Sequence, residues 1–181
     1  KTFAWQERWG LRHADAITVA SRTLESLTWA LDVPPAHVHY IPNGAWPMPK
    51  GNGERLRSLY HLGQAPVILL YTRFFEYDVQ RALEVFARVR RQVPMARLLV
   101  VGEALIAAEG ERFRRLAHQA GLAEHILNAG WVEAEYLPDY LAAADVAIFP
   151  FDDTLVNRAK CSGKLADLLA AGVPVVADAV G

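Results

Sequence analysis

Apolar and polar positions follow two rhythms along this chain. Runs such as "PVILLYT", "ARLLVVG", "DVAIFP" and "VPVVAD" are apolar at almost every position, as expected of strands covered on both faces. Between them lie segments with helical spacing. In "DVQRALEVFARVRRQV", Val79, Leu83, Phe86, Val89 and Val93 recur every few residues and share one helix face. "EGERFRRLAHQAG", "AEYLPDYLAAA" and "SGKLADLLAAG" are further helices, and "HILNAGWV" is a further strand. This alternation from Pro66 to Gly181 predicts an α/β fold, a doubly wound parallel sheet of about five strands.

The opening residues carry a smaller version of the pattern. "TFAWQERWGLRH" reads as an amphipathic helix ending near Gly10, and "ADAITVA" as a buried strand. Ser21 caps a helix over "SRTLESLTWAL", with Glu25 in its first turns. "HVHYIPNG" is a strand stopped by a proline and an Asn-Gly turn. Together these form one β-α-β piece. "AWPMPKGNG" has linker composition and precedes a helix over "GERLRSLYHLG". The expected divisions are residues 1–45, a linker and helix over 46–65, and the sheet domain over 66–181.

Composition narrows the function classes. A net charge of -1 gives no basis for nucleic-acid binding. The single cysteine, Cys161, rules out an internal disulfide and fits a reducing compartment. No apolar run reaches the roughly 18 residues that span a bilayer. Lys1-Thr2-Phe3 does not open a signal peptide. A start without Met, directly in a helix, is expected of a piece cut from a longer protein.

In sheets of this kind ligands sit beyond the carboxyl ends of the strands, so the residues after each strand are the informative ones. Arg73 directly follows a buried strand, where its guanidinium can reach a phosphate or pair with Glu76 or Asp78. In "NRAKCSGKLADLLAAG", Ser162 is a suitable N-cap and Gly163 permits close backbone approach. Lys160 and Lys164, two of the chain's four lysines, flank this helix start. The free N–H groups and the helix dipole there favour an anion, although an ordinary capped helix with solvated lysines has the same sequence. Asp167 lies three positions after Lys164 on the same face. It either gains from the dipole or accepts hydrogen bonds from a sugar's hydroxyl pair. Trp131, after the third sheet strand, is either core or a platform for a base. Asp152 and Asp153 read as solvated loop acids, Cys161 as a structural thiol, and His37 and His39 as packing residues of a strand. Neither a G-x-G-x-x-G nor a Walker A loop is present.

Taken together, these segments resemble the GT-B glycosyltransferases, specifically the large retaining group called family 4. "VASRTLESL" and "HVHYIPNG" resemble the end of that family's N-terminal acceptor domain. "VILLYTRF" is similar to the strand whose arginine binds the donor diphosphate, which places Arg73 there. "NAGWVEAEYLPDYLAAADVAIFP" resembles the segment whose backbone, at Trp131 and Val132, meets the nucleobase. "SGKLADLLAAGVPVVA" resembles "K-L-x-E-Y-M-A-A-G-x-P-V-V-A", with Asp167 at the ribose-binding acid and Lys160, Gly163 and Lys164 beside the diphosphate. The resemblance implies a metal-independent, retaining hexosyltransferase. It would need no cofactor beyond its nucleotide-sugar donor and act on a glycan, lipid or small-molecule acceptor. It further implies a cytoplasmic, bacterial protein that meets the inner membrane face through its N-terminal domain, with a catalytic histidine outside this chain. Two departures stand out. Ala159 occupies the place of the first acid in the family's E-x7-E pair, and the lysine expected shortly after Arg73 is absent. The alternatives are a degenerate nucleotide-binding or interaction module, and a sugar-nucleotide epimerase of the same fold.

Overall fold

A computed structural model of the chain describes residues 2–181. They form two compact units. One comprises the residues up to Gly44 together with 153–163 and 179–181; the other comprises 45–152 and 164–178.

The first unit begins with α1 (Thr2–His13), β1 (Ile17–Val19), α2 (Arg22–Trp29) and β2 (Val38–Tyr40). The two strands pair in parallel, Ile17 opposite Val38. Helix α1 does not stop near Gly10 as the glycine suggests but runs on to His13. A mid-helix glycine costs about 1 kcal/mol relative to alanine, and contacts beyond it offset this. Leu11 packs on the small core of Val19, Val33 and Val38. Arg12 Nε donates to the Leu31 carbonyl at 3.0 Å, and its guanidinium pairs with Asp32 at 2.6 Å. Ser21 caps α2 as its sequence position predicts, its Oγ accepting from the Leu24 N–H at 3.1 Å.

The second unit contains α3 (Gly53–Leu59), β3 (Val67–Tyr71), α4 (Val79–Gln92), β4 (Arg97–Val101), α5 (Ala107–Gln119), β5 (Ile126–Gly130), α6 (Leu137–Ala142) and β6 (Val146–Phe149). A short helix, α7 (Leu155–Arg158), then belongs to the first unit. It was not legible in the sequence. Its cap is Thr154, whose Oγ1 accepts from the Asn157 N–H at 3.2 Å. Helix α8 (Gly163–Ala170) and strand β7 (Val175–Ala177) complete the sheet unit.

Five strands stand in the order β5-β4-β3-β6-β7, every neighbouring pair parallel. This is the doubly wound α/β sheet the alternation predicts. Successive β3 residues serve opposite faces. Ile68 and Leu70 pack with Leu83 and Phe86 of α4 and Phe113 of α5. Val67 and Leu69 pack with Leu56 of α3, Leu141 of α6 and Leu168 of α8. Burial on both sides explains why β3 has almost no polar positions. At its amino end, Arg57 donates to the carbonyls of Ala143, Gly63 and Ala65 and pairs with Asp145 at 2.7 Å. Asp145 also accepts from the Val67 N–H at 2.7 Å. The polar anchoring of that end leaves the carboxyl edge, where chain order reverses between β3 and β6, for ligands. Among the described residues no helix is long and apolar enough to cross a membrane.

Candidate functional site

The carboxyl edge is built by loops that bond to one another. The Thr72 N–H donates to the Val101 carbonyl at 2.9 Å, the Gly102 N–H to the Gly130 carbonyl at 2.7 Å, and the Leu105 N–H to the Arg73 carbonyl at 2.9 Å. Gly102 has φ +113, and a Cβ built on it would lie 2.0 Å from the Thr72 carbonyl oxygen. Only glycine fits this crossing. After β3 the chain turns sharply. Phe74 has φ +63, unusual for a bulky residue. Buried Thr72 holds that turn, its Oγ1 accepting from the Phe74 N–H at 2.8 Å and from the Tyr77 hydroxyl at 3.0 Å. The Phe74 ring packs edge-on against Phe113, 5.1 Å between centroids. Burial pushes the Tyr77 phenol well above its ordinary range.

Arg73 leaves this fixed turn with its side chain exposed. Neither acid suggested by the sequence pairs with it. Asp78 caps α4 through the Gln80 N–H at 3.1 Å and pairs with Arg112 at 2.9 Å. Glu76 is buried at 8% exposure, its Oε1 facing Lys164 Nζ at 3.9 Å. Lys164 Nζ also lies 5.8 Å from the ring centroid of Tyr71, the last residue of β3. The first turn of α8 thus stands at the strand end.

Asp167 follows Lys164 by one turn on α8 and is half-buried. Burial raises its carboxyl above the ordinary range, against the opposing pull of Lys164. Tyr71 responds to the same surroundings, its phenol raised by burial and then by the Asp167 charge.

Trp131 and Val132 follow β5. Trp131 is 60% exposed, which removes the core reading, and its indole N–H donates to Glu133 at 3.1 Å. Val132 is partly buried against the α3–α6–α8 side of the core. Both line a cavity of about 230 Å³ shared with Arg55, Leu59, Tyr136 and Tyr140. A second cavity, of about 420 Å³, opens over Gly102, Glu103, Asn128 and Gly130, with Arg114 of α5 on its wall.

Lys160 belongs to the first unit, where its Nζ donates to Asn157 Oδ1 at 3.0 Å. Ala159, the expected place of an acid, is there an anchoring point, its carbonyl accepting from Ser21 Oγ at 2.7 Å. The Cys161 carbonyl likewise accepts from Asn43 Nδ2 at 2.7 Å. Gly163 opens α8 and is counted with the first unit; Lys164–Asp178 belong to the second. The structure therefore gathers Lys164, Asp167, Tyr71 and Glu76, sets Arg73 on the adjoining turn, and puts Trp131 and Val132 at the end of β5. The two aspartates are loop acids open to solvent, as read from the sequence, and each has an ion-pair partner: Asp152 pairs with Arg81 at 3.1 Å and Asp153 with Arg158 at 2.6 Å. His37 lies in a single 3-10 turn (Pro35–His37), not in the strand with His39. Among the described residues no group of three or more His, Cys, Asp or Glu side chains could hold a metal ion. Sequence reasoning noted Glu76 only as an acid near Arg73. No local pattern could show that it faces a lysine 88 positions later.

Residues 65–181 match the family described as Glycosyl transferases group 1, and residues 1–44 match the Glycosyl transferase 4-like domain. The chain belongs to the group 1 glycosyl transferases. Its curated relatives include the GDP-mannose-dependent alpha-(1-6)-phosphatidylinositol monomannoside mannosyltransferase of Mycobacterium tuberculosis, 31% identical over 90% of this chain and 43% of the relative. The protein of that name from Mycolicibacterium smegmatis is 32% identical over 76% of the chain and 36% of the relative. This chain thus spans less than half the length of the curated relatives it matches. Among solved structures, Anabaena HepE in complex with UDP and glucose superposes with a TM-score of 0.75 at 18% identity, covering 95% of this chain and 46% of that one. Sucrose-phosphate synthase from Thermosynechococcus elongatus superposes with a TM-score of 0.72 at 26% identity, covering 99% and 44%. These neighbours share the GT-B glycosyltransferase fold.

Proposed function

We propose that this chain carries the donor-binding part of a retaining, metal-independent hexosyltransferase, which moves a sugar from a nucleoside diphosphate to a glycan or lipid acceptor. The observation that carries the reading is the pair Lys164 and Asp167, one turn apart on α8, with Lys164 set at the carboxyl end of β3. A ribose diol offers two hydroxyl donors that such a carboxylate can accept. Residues 66–181 act as the nucleotide-sugar domain and residues 1–45 as the end of the acceptor domain, with 46–65 between them. Lys164 and Arg73 neutralise the leaving diphosphate, stabilising charge as it develops. Trp131 and Val132 meet the base. For Lys160 and Gly163 the support is the sequence pattern alone. The names of the curated relatives favour GDP-mannose as donor and a glycolipid as acceptor. On this reading the protein is cytoplasmic, uses no cofactor, and meets the membrane peripherally where its acceptor is a lipid.

The test is titration calorimetry of the chain with guanosine, uridine and adenosine diphosphates, beside Asp167→Ala. A charged hydrogen bond is worth about 1.5–3 kcal/mol, so Asp167→Ala lowers affinity roughly ten- to a hundredfold with the fold intact. Unchanged affinity removes Asp167 from the site. In the protein joined to the remaining length of its relatives, transfer insensitive to a chelator and retention at the anomeric carbon test the finer points. Binding without transfer there favours the non-catalytic module.

A further inference from the structure

Glu76 is the residue at this edge to which the nucleotide reading assigns no task, and its placement is expensive to ignore. A buried carboxylate beside a diphosphate site repels the ligand's own charge. The fold nevertheless holds it there firmly. The Glu76 carbonyl accepts from the Asp152 N–H at 2.9 Å, its carboxylate accepts from the Phe75 N–H at 3.3 Å, and the turn before it is closed by Thr72. Its carboxylate faces the ammonium of Lys164, with 23% of that side chain exposed against 9% for Glu76. At 3.9 Å the pair is an ion pair, but Lys164 Nζ lies beyond hydrogen-bonding distance of that oxygen. One turn further along α8, Asp167 acts on the same lysine. Lys164 thus acts on two acids.

We propose that Glu76 is a competitor for Lys164: it receives the ammonium when the site is empty, yields it to the diphosphate on binding, and thereby sets how readily the nucleoside diphosphate leaves. This deepens the nucleotide reading above and rests on it. The electrostatics fix the sign. With Glu76 ionised, Lys164 is neutralised before the ligand arrives, and the incoming phosphates meet a second negative charge nearby. Without that charge more of the ammonium's field is left for the ligand. A unit charge several ångströms away in partly screened surroundings changes affinity by about tenfold. Because the product of transfer is itself a nucleoside diphosphate, weakening its hold shortens its residence. Glu76 acts through Lys164 and is a positioning residue.

The experiment titrates guanosine diphosphate, uridine diphosphate and the two nucleosides into the chain and into Glu76→Gln, Lys164→Ala and the double variant. Glu76→Gln is expected to bind the better diphosphate about tenfold more tightly, by a slower off-rate. Nucleoside affinity should stay constant, and the gain should shrink in the Lys164→Ala background, where only the direct repulsion remains. A merely structural role would move nucleoside and diphosphate alike. If Glu76→Gln does not fold, Glu76→Asp draws the same charge back by one methylene and should give a smaller gain of the same sign. Diphosphate affinity that falls or stays level in these variants overturns the proposal. If it stays level while Asp167→Ala still weakens binding, the nucleotide reading stands and only the role of Glu76 is lost. No diphosphate binding by the unaltered chain overturns both.

Discussion

The turn after β3 and the turn after β5 border the same sheet edge and are held in opposite ways. Residues 72–77 are pinned from within: Thr72 accepts two hydrogen bonds, Phe74 is buried at an unusual φ, and Glu76 and Tyr77 are both buried. The stretch from Trp131 to Tyr136 is open, with Trp131 60% and Tyr136 49% exposed. On the proposed reading the first turn meets the diphosphate and the second meets the base. Diphosphate is common to all donors, so its neighbours gain from rigidity. The base differs between donors, and an exposed indole can adjust.

The sharpest way to break the comparison is through a glycine beside each turn: Gly102, after β4, abuts Thr72 of the first, and Gly130 ends β5 just before the second. Both have positive φ, +113 at Gly102 and +66 at Gly130. A Cβ at Gly102 meets backbone at 2.0 Å, whereas one at Gly130 meets only the Glu103 side chain at 3.7 Å. Gly102→Ala should cost about 4 kcal/mol or unfold the sheet unit, and Gly130→Ala only about 1 kcal/mol, both read by urea unfolding. Comparable losses would show that the two turns are equally constrained.

Thr72→Val comes next. It strands the Phe74 N–H and the Tyr77 hydroxyl in a buried setting. Leaving such groups unsatisfied costs about 1–3 kcal/mol each. Urea midpoints should fall by the equivalent of about 2 kcal/mol or more. A negligible change would mean that the pinning is nominal.

Asp167→Asn is smaller and depends on pH. The folded chain holds the Asp167 proton to higher pH than the unfolded chain, because burial raises its carboxyl. The stability from this group is full below the ordinary carboxylate value and is lost as pH rises through the raised one. Asn removes the loss. At neutral pH the variant should melt above the parent, with the difference closing by about pH 3, even as nucleotide affinity falls. A variant less stable than the parent at neutral pH would favour the dipole reading.

Trp131→Ala should be the mildest. At an exposed position its effect on unfolding stays within about 0.5 kcal/mol, while nucleoside affinity drops several-fold on loss of a stacking surface of roughly 1–3 kcal/mol. Loss of fold without loss of affinity would reverse the assignment of this turn.

The sheet was legible because burial on both faces leaves strands such as β3 and β4 almost wholly apolar. Asp167 was legible because a lone acid in an apolar helix stands out. The relation of Glu76 to Lys164 was not, since side-chain meetings across a parallel sheet depend on the crossovers rather than on local spacing. Helix α7 escaped because four residues carry no periodicity, and α1 outran Gly10 because Arg12 found its partners in a later loop.

The bonds that tie the sheet edge together also bear on time. The amides of Phe74, Gly102, Leu105 and Asp152 lie outside every helix and strand, yet each donates to an oxygen of that edge. Amides so engaged open only when the surrounding unit opens. In deuterated water they should exchange with the slow amides of β3 and β4 rather than with loop amides. The rim then keeps its shape for as long as the sheet does, and a ligand meets a surface assembled before it arrives.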